Sequence, residues 1–417
     1  MTLLAIVIGA TLLSWTALSA IALALAVHFR RDWQEHTART PPLPETAPEA
    51  AIILPVKGYS ALTRTSLAAY ADLDYSNYRL LVAVEAKDDA AYAPASELAS
   101  RLPDRVQVVV AGRAMIGVQK TVNQLAAWQK VAESAQVICL ADADALPSRE
   151  WLTRLVSWIM TGPEGVMASG YRWLVPADAH PATMTVCMIN EGIATLTRDQ
   201  RWNLAWGGAM GAHRNLWLHI DPERTLRGVA TDDLVLGRGA RQHGGHIEQV
   251  RDLLVISPVA MNWQLGVSFL RRQYTLLRMY APAHWALAAS VTTWAVGGWV
   301  VTAWALILGW FWALLPAGCV FALDASRLCV RRRFAADKWP KAPLGYELRR
   351  GCIVKALAMP LVSLIHAACI WSTLMQKRFK WAGVLYDVSN PYAVMVVRRE
   401  APEDGSDARI TADETLH

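Results

Sequence analysis

The chain has 417 residues, 54% of them hydrophobic, with 19 Trp and a net charge of +6. This length allows one catalytic domain plus membrane segments, and so much Trp is unusual for a soluble enzyme but expected where aromatic rings lie at bilayer interfaces. Because no long basic tract occurs in the soluble part, the composition argues against nucleic acid as a partner.

The N-terminal residues 1–27 contain no charged side chain and can span about 30 Å of hydrocarbon as a helix. A cleaved signal peptide is disfavoured, because no basic region precedes this stretch and Arg30 and Arg31 follow it. By the positive-inside rule, these arginines put the N-terminus outside and the next domain in the cytosol. We therefore predict a transmembrane helix over residues 1–30 and a Pro-rich linker over 31–49.

The segment 50–258 alternates short apolar runs with longer helical stretches. The runs are residues 51–54, 79–85, 105–110, 136–141 and 165–169. Such alternation predicts right-handed βαβ units with a largely parallel sheet, and hence an α/β fold. Ligands of these sheets bind beyond the carboxyl ends of the strands, so the residues that follow each run are the candidate site residues.

Two carboxylates one residue apart, Asp142 and Asp144, follow the fourth run. Oxygen ligands in this arrangement suit Mg²⁺ or Mn²⁺. Such an ion would bridge a donor pyrophosphate and offset the charge that builds on a leaving nucleotide. The alternative is an ordinary acidic loop that caps the following helix, but the position directly after the most apolar strand favours metal binding.

A second acidic pair, Asp232 and Asp233, precedes a helical stretch over residues 234–242. One acid could cap that helix, but two adjacent acids exceed the needs of a cap. A carboxylate held near an acceptor hydroxyl can remove its proton as a general base. We predict that catalytic role for this pair.

Apolar side chains recur at helical spacing over residues 263–280, while Arg271 and Arg278 share a different face. This pattern predicts an amphipathic helix that lies on the membrane over residues 259–282. Its basic residues either anchor to lipid headgroups or reach a diphosphate, whose geometry suits a guanidinium fork. The candidates for the second role include Arg272 and Gln273.

The apolar stretch 283–330 is long enough for two tightly connected spanning helices and has basic residues on both sides. It therefore predicts a transmembrane hairpin followed by a cytosolic loop over 331–350. The next segment, 351–376, is apolar but contains Lys355 and His366, so it spans the membrane, re-enters it or lies at the interface. We expect residues 377–417 to form a cytosolic tail whose acidic end is disordered.

These acidic sites, in this order before an Arg-rich helix and a membrane hairpin, resemble the inverting GT-A-fold glycosyltransferases, most of all the ceramide glucosyltransferase family, family 21, which is close to family 2. The matching stretches are Leu54-Pro55-Val56-Lys57-Gly58, Asp88-Asp89-Ala90, Gly117-Val118-Gln119-Lys120-Thr121-Val122-Asn123, Gly207-Gly208-Ala209-Met210 and Trp381-Ala382-Gly383. The resemblance implies a GT-A-type, Rossmann-like nucleotide-sugar domain between the N-terminal and C-terminal membrane helices. It puts the family's three acids at Asp89, Asp142 and Asp233, with Asp233 as the base.

The resemblance also implies a UDP-sugar donor, with glucose as the expected sugar, and a ceramide-like lipid acceptor at the cytosolic membrane face. The expected donor-binding residues are Pro55, Lys57, Asp89, Lys120, Asp142, Arg271, Arg272, Gln273 and Arg278. We expect Asp142 and Asp144 to hold Mn²⁺ or Mg²⁺, and Gly208 and His213 to lie on the acceptor side.

The family signature (Gln/Arg)-x-x-Arg-Trp is not intact in this chain. Arg272 can occupy its first position, but Thr275 and Leu276 then stand where Arg-Trp should be. Alternatively, Arg278 replaces the arginine and Tyr280 supplies the aromatic ring. The sequence leaves both assignments open.

Two other functions remain as alternatives. A processive polysaccharide synthase shares the catalytic domain but normally needs more spanning helices and an intact signature. A non-catalytic membrane protein with a degenerate transferase domain is disfavoured because all three acidic sites are present. A dehydrogenase is excluded, since no Gly-x-Gly-x-x-Gly follows the first strand.

Overall fold

The computed structural model describes residues 3–163, 165–196, 202–340 and 352–400. The strands are β1 (Ala50–Pro55), β2 (Tyr78–Val84), β3 (Val106–Val110), β4 (Val137–Ala141), β5 (Val166–Ser169), β6 (Arg172–Pro176), β7 (Ala209–His213), β8 (His246–Gln249), β9 (Val255–Val259), β10 (Arg378–Trp381), β11 (Val384–Asp387) and β12 (Met395–Arg399). The α-helices are α1 (Leu3–Ala38), α2 (Ala61–Ala71), α3 (Tyr92–Arg101), α4 (Gln119–Trp128), α5 (Trp151–Thr161), α6 (Pro181–Ala194), α7 (Arg214–Ile220), α8 (Pro222–Thr225), α9 (Asp233–Gln242), α10 (Trp263–Tyr280), α11 (Pro282–Ile307), α12 (Leu314–Lys338) and α13 (Cys352–Trp371).

A seven-stranded sheet forms the centre of the α/β domain, in the order β3-β2-β1-β4-β7-β5-β8. Neighbouring strands run parallel except around β7, which is antiparallel to both β4 and β5. Every residue of β1 and β4 is buried, as expected of strands covered on both faces. The five apolar runs in the sequence are all strands of this sheet, and the predicted α/β fold is confirmed.

The reversed strand β7 brings a glycine-containing loop to the edge of the sheet where ligands bind. Ala209, its first residue, pairs with Ala141, the last residue of β4. Residues Gly207 and Gly208 therefore lie at the carboxyl end of β4, beside Asp142. A pattern of βαβ units predicts parallel strands only, so it does not predict the reversed direction of β7.

The C-terminal residues form a second sheet rather than a tail. Strands β10, β11 and β12 pair antiparallel over residues 378–399, which were expected to be part of a cytosolic tail. Phe379, Val384 and Tyr386 are buried in the core on one face of the seven-stranded sheet, and their burial explains why this segment is ordered. The expected disordered end, residues 401–417, lies outside the described residues.

Four helices are long and apolar enough to cross a membrane, by length and composition, within the described ranges. The first, α1, continues to Ala38, so residues 31–38 are helical rather than part of the predicted linker. Near this end of α1, Phe29 and Trp33 pack edge-on against Phe334. Likewise, α12 continues to Lys338, beyond the predicted end of the hairpin at residue 330. The remainder of the expected loop, residues 341–350, lies outside the described part of the chain.

The two helices of the predicted hairpin pack mainly on other helices. Helix α12 lies against α1 and α13, and α11 lies against α13 and α1. The amphipathic helix α10, close to its predicted bounds, packs on α11, α13 and α6. Helix α10 therefore connects the catalytic domain to the membrane helices.

Candidate active site

A cleft of about 210 Å³ opens at the carboxyl ends of β1 and β4. Its walls come from the seven-stranded sheet, from α4, from α10 and from the C-terminal sheet of β10, β11 and β12. The lining residues are Pro55, Val56, Lys57, Thr63, Gln119, Lys120, Asn123, Asp142, Ala143, Asp144, Arg172, Arg272, Trp381, Ala382 and Tyr386. The cleft therefore lies where ligands of open α/β sheets bind.

The ammonium group of Lys120 joins two of the acidic sites. Its Nζ lies 2.7 Å from Asp142 Oδ1 and 3.0 Å from Asp232 Oδ2. Burial lowers the pKa of Lys120, but the carboxylates of Asp142, Asp232 and Asp233 outweigh burial and raise that pKa above its usual value. Lys120 is therefore a fixed positive charge at the inner wall of the cleft.

The pKa values of the two neighbouring acids at the start of α9 are shifted in opposite directions. Asp232 is buried, and Gln124 Nε2 donates to its Oδ2 at 2.7 Å. Burial raises the pKa of Asp232, but Lys120 and then Gln124 more than offset this and lower it below the usual value. Asp232 makes no side-chain capping bond to α9, so capping does not explain its presence.

Asp233 is the acid best able to accept a proton. Thr231 Oγ1 and the Leu234 amide donate to its Oδ1 at 2.6 and 2.7 Å, whereas the Gly207 amide lies 3.3 Å from Oδ2. Burial and the nearby charge of Asp232 raise the pKa of Asp233 to about 6. A carboxylate with such a pKa is suited to general-base work near neutral pH.

The loop before β7 requires glycine because it closely approaches the acids. A Cβ atom on Gly208 would lie 2.5 Å from Asp142 Oδ2 and closer still to the Trp206 ring. A Cβ atom on Gly207 would overlap the carboxylate of Asp232. A larger residue at either position would therefore displace the neighbouring carboxylate or the Trp206 ring.

Two arginines that line the cleft, Arg172 and Arg272, stack on aromatic rings. Arg172 Nη1 lies 3.3 Å from Asp144 Oδ2, and its guanidinium stacks 5.4 Å from the centroid of Phe269. Arg272 stacks between Phe269, at 5.6 Å, and Trp381, at 4.7 Å. Burial and then the charge of Arg172 lower the pKa of Arg272 to about 10, so it remains charged at neutral pH.

The opposite wall is held by a network at the end of β2. Glu85 is buried, and its carboxylate accepts from Lys57 Nζ at 2.5 Å and from Arg399 Nη1 at 2.7 Å. Asp89 accepts from the backbone amides of Gly58, at 3.0 Å, and Ala91, at 2.8 Å. Asp89 therefore orders the loop after β1 and does not line the cleft.

The carboxylates of the cleft fit a divalent ion. Asp142 and Asp144 both line it, although no group of three or more acidic, histidine or cysteine side chains in the described ranges forms a complete metal site. Mg²⁺ and similar hard ions are commonly held by one or two carboxylates, with substrate phosphates supplying further ligands. Asp142 and Asp144 supply the two carboxylates of such a ligand set.

A sequence model described as "Glycosyl transferase family 21" matches residues 12–393. The chain belongs to glycosyl transferase family 21. It is therefore a glycosyltransferase, and the resemblance noted in the sequence is confirmed. A search of curated proteins gave no match.

Solved structures similar to this family 21 enzyme include other sugar transferases. The mannosyltransferase PcManGT from Pyrobaculum calidifontis, in complex with GDP-Man and Mn²⁺, is 16% identical over 87% of this chain and 99% of its own, with a TM-score of 0.47. S. aureus TarS 1–349 with UDP-GlcNAc is 10% identical over 84% and 100% of the two chains, with a TM-score of 0.37. Glucosyl-3-phosphoglycerate synthase from Mycobacterium tuberculosis with Mn²⁺ and UDP-Glc is 16% identical over 55% and 78%, with a TM-score of 0.35.

Several residues expected at the site of the family 21 enzyme lie elsewhere. His213 pairs with Val137 at the opposite end of β4 and caps α7 by accepting from the Asn215 amide, so we withdraw its acceptor-side assignment. Of the candidates on α10, Arg272 lines the cleft, whereas Arg271, Gln273 and Arg278 do not. Helical spacing points those three side chains away from the face that carries Arg272.

Other site residues of the enzyme had no signal in the sequence. Arg172 begins β6, and Tyr386 accepts from the Gln119 amide at 3.2 Å across 267 positions. Trp381 could be identified from its Trp-x-Gly element, but its contact with Arg272 could not. In the structure its ring stacks 4.7 Å from the Arg272 guanidinium.

Proposed function

We propose that this family 21 enzyme transfers glucose from UDP-glucose to a hydroxyl of a ceramide-like membrane lipid, with inversion, at the cytosolic face. The observation that carries the proposal is the Lys120 centre, in which one ammonium joins the donor-side acid Asp142 to the Asp232–Asp233 pair. The arrangement puts a candidate base with a pKa of about 6 next to a cleft able to hold a diphosphate.

In this mechanism, Asp233 removes the proton from the acceptor hydroxyl. The acceptor oxygen forms a bond to the anomeric carbon on the face opposite the nucleotide, and the bond from that carbon to the phosphate oxygen breaks. The electron pair leaves with UDP, so a single displacement inverts the anomeric centre without an enzyme nucleophile. Lys120 and Arg272 stabilise the negative charge on the departing diphosphate.

Asp142 and Asp144 would hold Mn²⁺ or Mg²⁺, which supplies Lewis-acid stabilisation to the diphosphate when bound. In the structure, these carboxylates contact Lys120 and Arg172. We propose that both cations turn towards the phosphates as the donor binds, which keeps the charge of the buried site balanced.

The position of the cleft supports a lipid acceptor. Arg272 in its wall belongs to α10, which packs directly on α11 and α13, and the same helix contacts the apolar helix α6 of the catalytic domain. A lipid headgroup approaching along these helices would reach the cleft without leaving the membrane surface. Such lateral delivery suits an acceptor that is anchored in one leaflet.

The contacts around α13 support a topology with three crossings. Before it, Lys338 at the end of α12 donates to the Asp252 carbonyl of the catalytic domain at 2.9 Å. After it, Arg399 of β12 contacts Glu85 of the same domain. A helix that crossed once between these points would put them on opposite sides, so we propose that α13 lies within the cytosolic leaflet.

The surface of α13 agrees with that location. Its exposed apolar residues recur every three or four positions, as at Leu357, Leu361 and Leu364, and form one stripe. Residues on its opposite face pack on α6 and α10. A helix that is covered on one side by protein and apolar on the other is suited to lie in the plane of a leaflet.

The test is radiolabelled sugar transfer from UDP-glucose, with Mn²⁺ or Mg²⁺, into a total lipid extract by purified protein in detergent. We expect a labelled lipid that is absent with Asp233→Asn, and its identification would settle the acceptor. Label found only in a polymer would favour a polysaccharide synthase. Failure to bind any nucleotide sugar would refute the proposed transfer from a nucleotide donor.

Orientation is tested separately with reporters fused at the C-terminus. If the C-terminus is cytosolic, a fused reporter that is active only in the cytosol should be active, and a fused reporter that is active only outside should be inactive. The opposite result would refute the proposed topology.

A further inference from the structure

The C-terminal strand β12 ends with two adjacent arginines that have different surroundings. Arg399 points into the catalytic domain, where its side chain is 23% exposed, whereas Arg398 is 71% exposed. Arg398 lies 4.0 Å from Glu400 at the surface. The pair therefore offers one residue bound into the fold beside an equivalent residue in solvent.

Arg399 makes three polar contacts that reach two separate segments. Its Nη1 lies 2.7 Å from Glu85 Oε2, and its Nη2 donates to the Ala114 carbonyl and to Gln119 Oε1, both at 2.8 Å. Glu85 follows β2, and Gln119 begins α4. One guanidinium thus ties the end of β2 to the start of the helix that carries Lys120.

Glu85 and Gln119, the side-chain partners of Arg399, both contact residues that line the cleft. Glu85 holds Lys57 at 2.5 Å through its other carboxylate oxygen. Gln119 Nε2 donates to Asn123 Oδ1 at 2.8 Å, and Asn123 in turn donates to the carbonyl of Val56 at 3.1 Å. Lys57, Gln119, Asn123 and Val56 all line the cleft.

Arg399 itself does not line the cleft, so any effect it has on the donor acts through these residues. Removing its guanidinium would leave the buried Glu85 with Lys57 as its remaining ion-pair partner. Lys57 would then be held more strongly by that carboxylate, and Gln119 would lose a donor to its oxygen. Unpaired polar groups in a buried network lower the free energy of unfolding, so the neighbouring loops would rearrange to pair them.

We propose that Arg399 is a positioning residue that sets the shape of the donor-binding wall, so that the C-terminal sheet is part of the nucleotide site. The inference rests on the proposed function, because it assumes that the cleft binds a nucleoside diphosphate sugar. It assigns to the last described strand a role in donor affinity rather than in the chemical step.

The experiment compares Arg399→Ala with Arg398→Ala in the full-length chain, using UDP binding and steady-state transfer. We expect Arg399→Ala to weaken UDP binding and raise the donor KM by about tenfold, as for the loss of a hydrogen bond to a charged group, with kcat changed by less than about twofold. Arg398→Ala should leave both values unchanged. The acceptor KM should be the same in all three proteins.

Arg399→Lys keeps a positive charge beside Glu85 but cannot donate to both other acceptors, so it should give a smaller rise in donor KM. If Arg399→Ala does not fold, the lysine variant still tests the inference. An unchanged donor KM in a folded variant, or an equal change in Arg398→Ala, would overturn it. The proposed function fails differently, since the unaltered protein would then bind no UDP at all.

Discussion

Replacing Asp233 with asparagine should separate stability from catalysis. The pKa of this carboxyl is about 6 in the folded chain, against an ordinary value of 3.8. Because the folded state holds the proton more tightly, its free energy of unfolding falls as the pH rises from about 4 to about 6. Above pH 6, the ionised carboxylate therefore destabilises the fold, and asparagine removes that penalty.

The size of the effect follows from the shift. A change from 3.8 to about 6 corresponds to about 3 kcal/mol, at about 1.36 kcal/mol for each pKa unit. Asparagine keeps an oxygen that can accept from Thr231 and Leu234, but the bonds lose their charge-assisted character. We therefore expect the variant to be about 1 to 3 kcal/mol more stable at pH 7 and equal in stability near pH 4.

The catalytic effect should have the opposite direction. In the unaltered enzyme, kcat/KM should rise about tenfold per pH unit up to about pH 6 and then level off, because the base must be ionised. Asp233→Asn should be slower by on the order of 10²-fold or more and should lack this rise. Thermal unfolding and UDP release, each measured from about pH 4 to 8, check the two effects in the same preparations.

The adjacent acid is the matched control. Lys120 and Gln124 lower the pKa of Asp232, so its ionised form stabilises the folded chain above the ordinary pKa and that contribution is lost as the pH falls. Asp232→Asn should therefore destabilise the protein at pH 7, where Asp233→Asn stabilises it. Equal destabilisation by both changes, or full turnover by Asp233→Asn, would refute the assignment of the base.

Three further predictions concern the same site. Lys120→Met should raise the donor KM and lower the unfolding temperature at pH 7, because it removes the ion-pair partner of Asp142. Burial raises the pKa of Asp142, so this carboxyl should take up a proton at lower pH and the unfolding temperature should partly recover; calorimetry at two pH values checks this. Gly208→Ala should cost about 1 to 3 kcal/mol and most of the activity. Gly297→Ala, where a Cβ atom would meet nothing within 4 Å and a helix favours alanine, should not lower stability and should leave activity unchanged; urea unfolding and activity assays distinguish the two variants. Chelation should abolish transfer and Mn²⁺ should restore it, and Asp144→Asn should raise the Mn²⁺ concentration for half-maximal rate by about tenfold in a titration.

Much of the fold could be predicted because the signals were local. The apolar runs at 51–54 and 136–141 are β1 and β4, and residues 3–27 of the charge-free N-terminal stretch lie within α1. Hydrophobic runs and their spacing report burial directly, whatever the rest of the chain does. The positions of Asp142 and Asp144 after β4 followed from the same rule, since ligands bind at strand ends.

Helix ends and late segments were less predictable. The sequence around Trp33 is polar enough to end a transmembrane helix, yet α1 continues because that ring packs on Phe334 of α12. Residues 378–399 were expected to belong to a cytosolic tail, yet they pair as strands because Phe379 and Tyr386 are buried against the α/β domain. In both cases the deciding partner is hundreds of positions away.

The sequence by itself determined the α/β class, the apolar segments and the acids at the strand ends, because each depends on composition and periodicity over a few residues. Only the tertiary structure decided that Lys120 joins Asp142 to Asp232, that Trp381 stacks on Arg272, and that His213 lies at the far end of the sheet. These contacts depend on strand order and on the direction of β7. Strand order is set by packing of the whole domain, which no local pattern encodes.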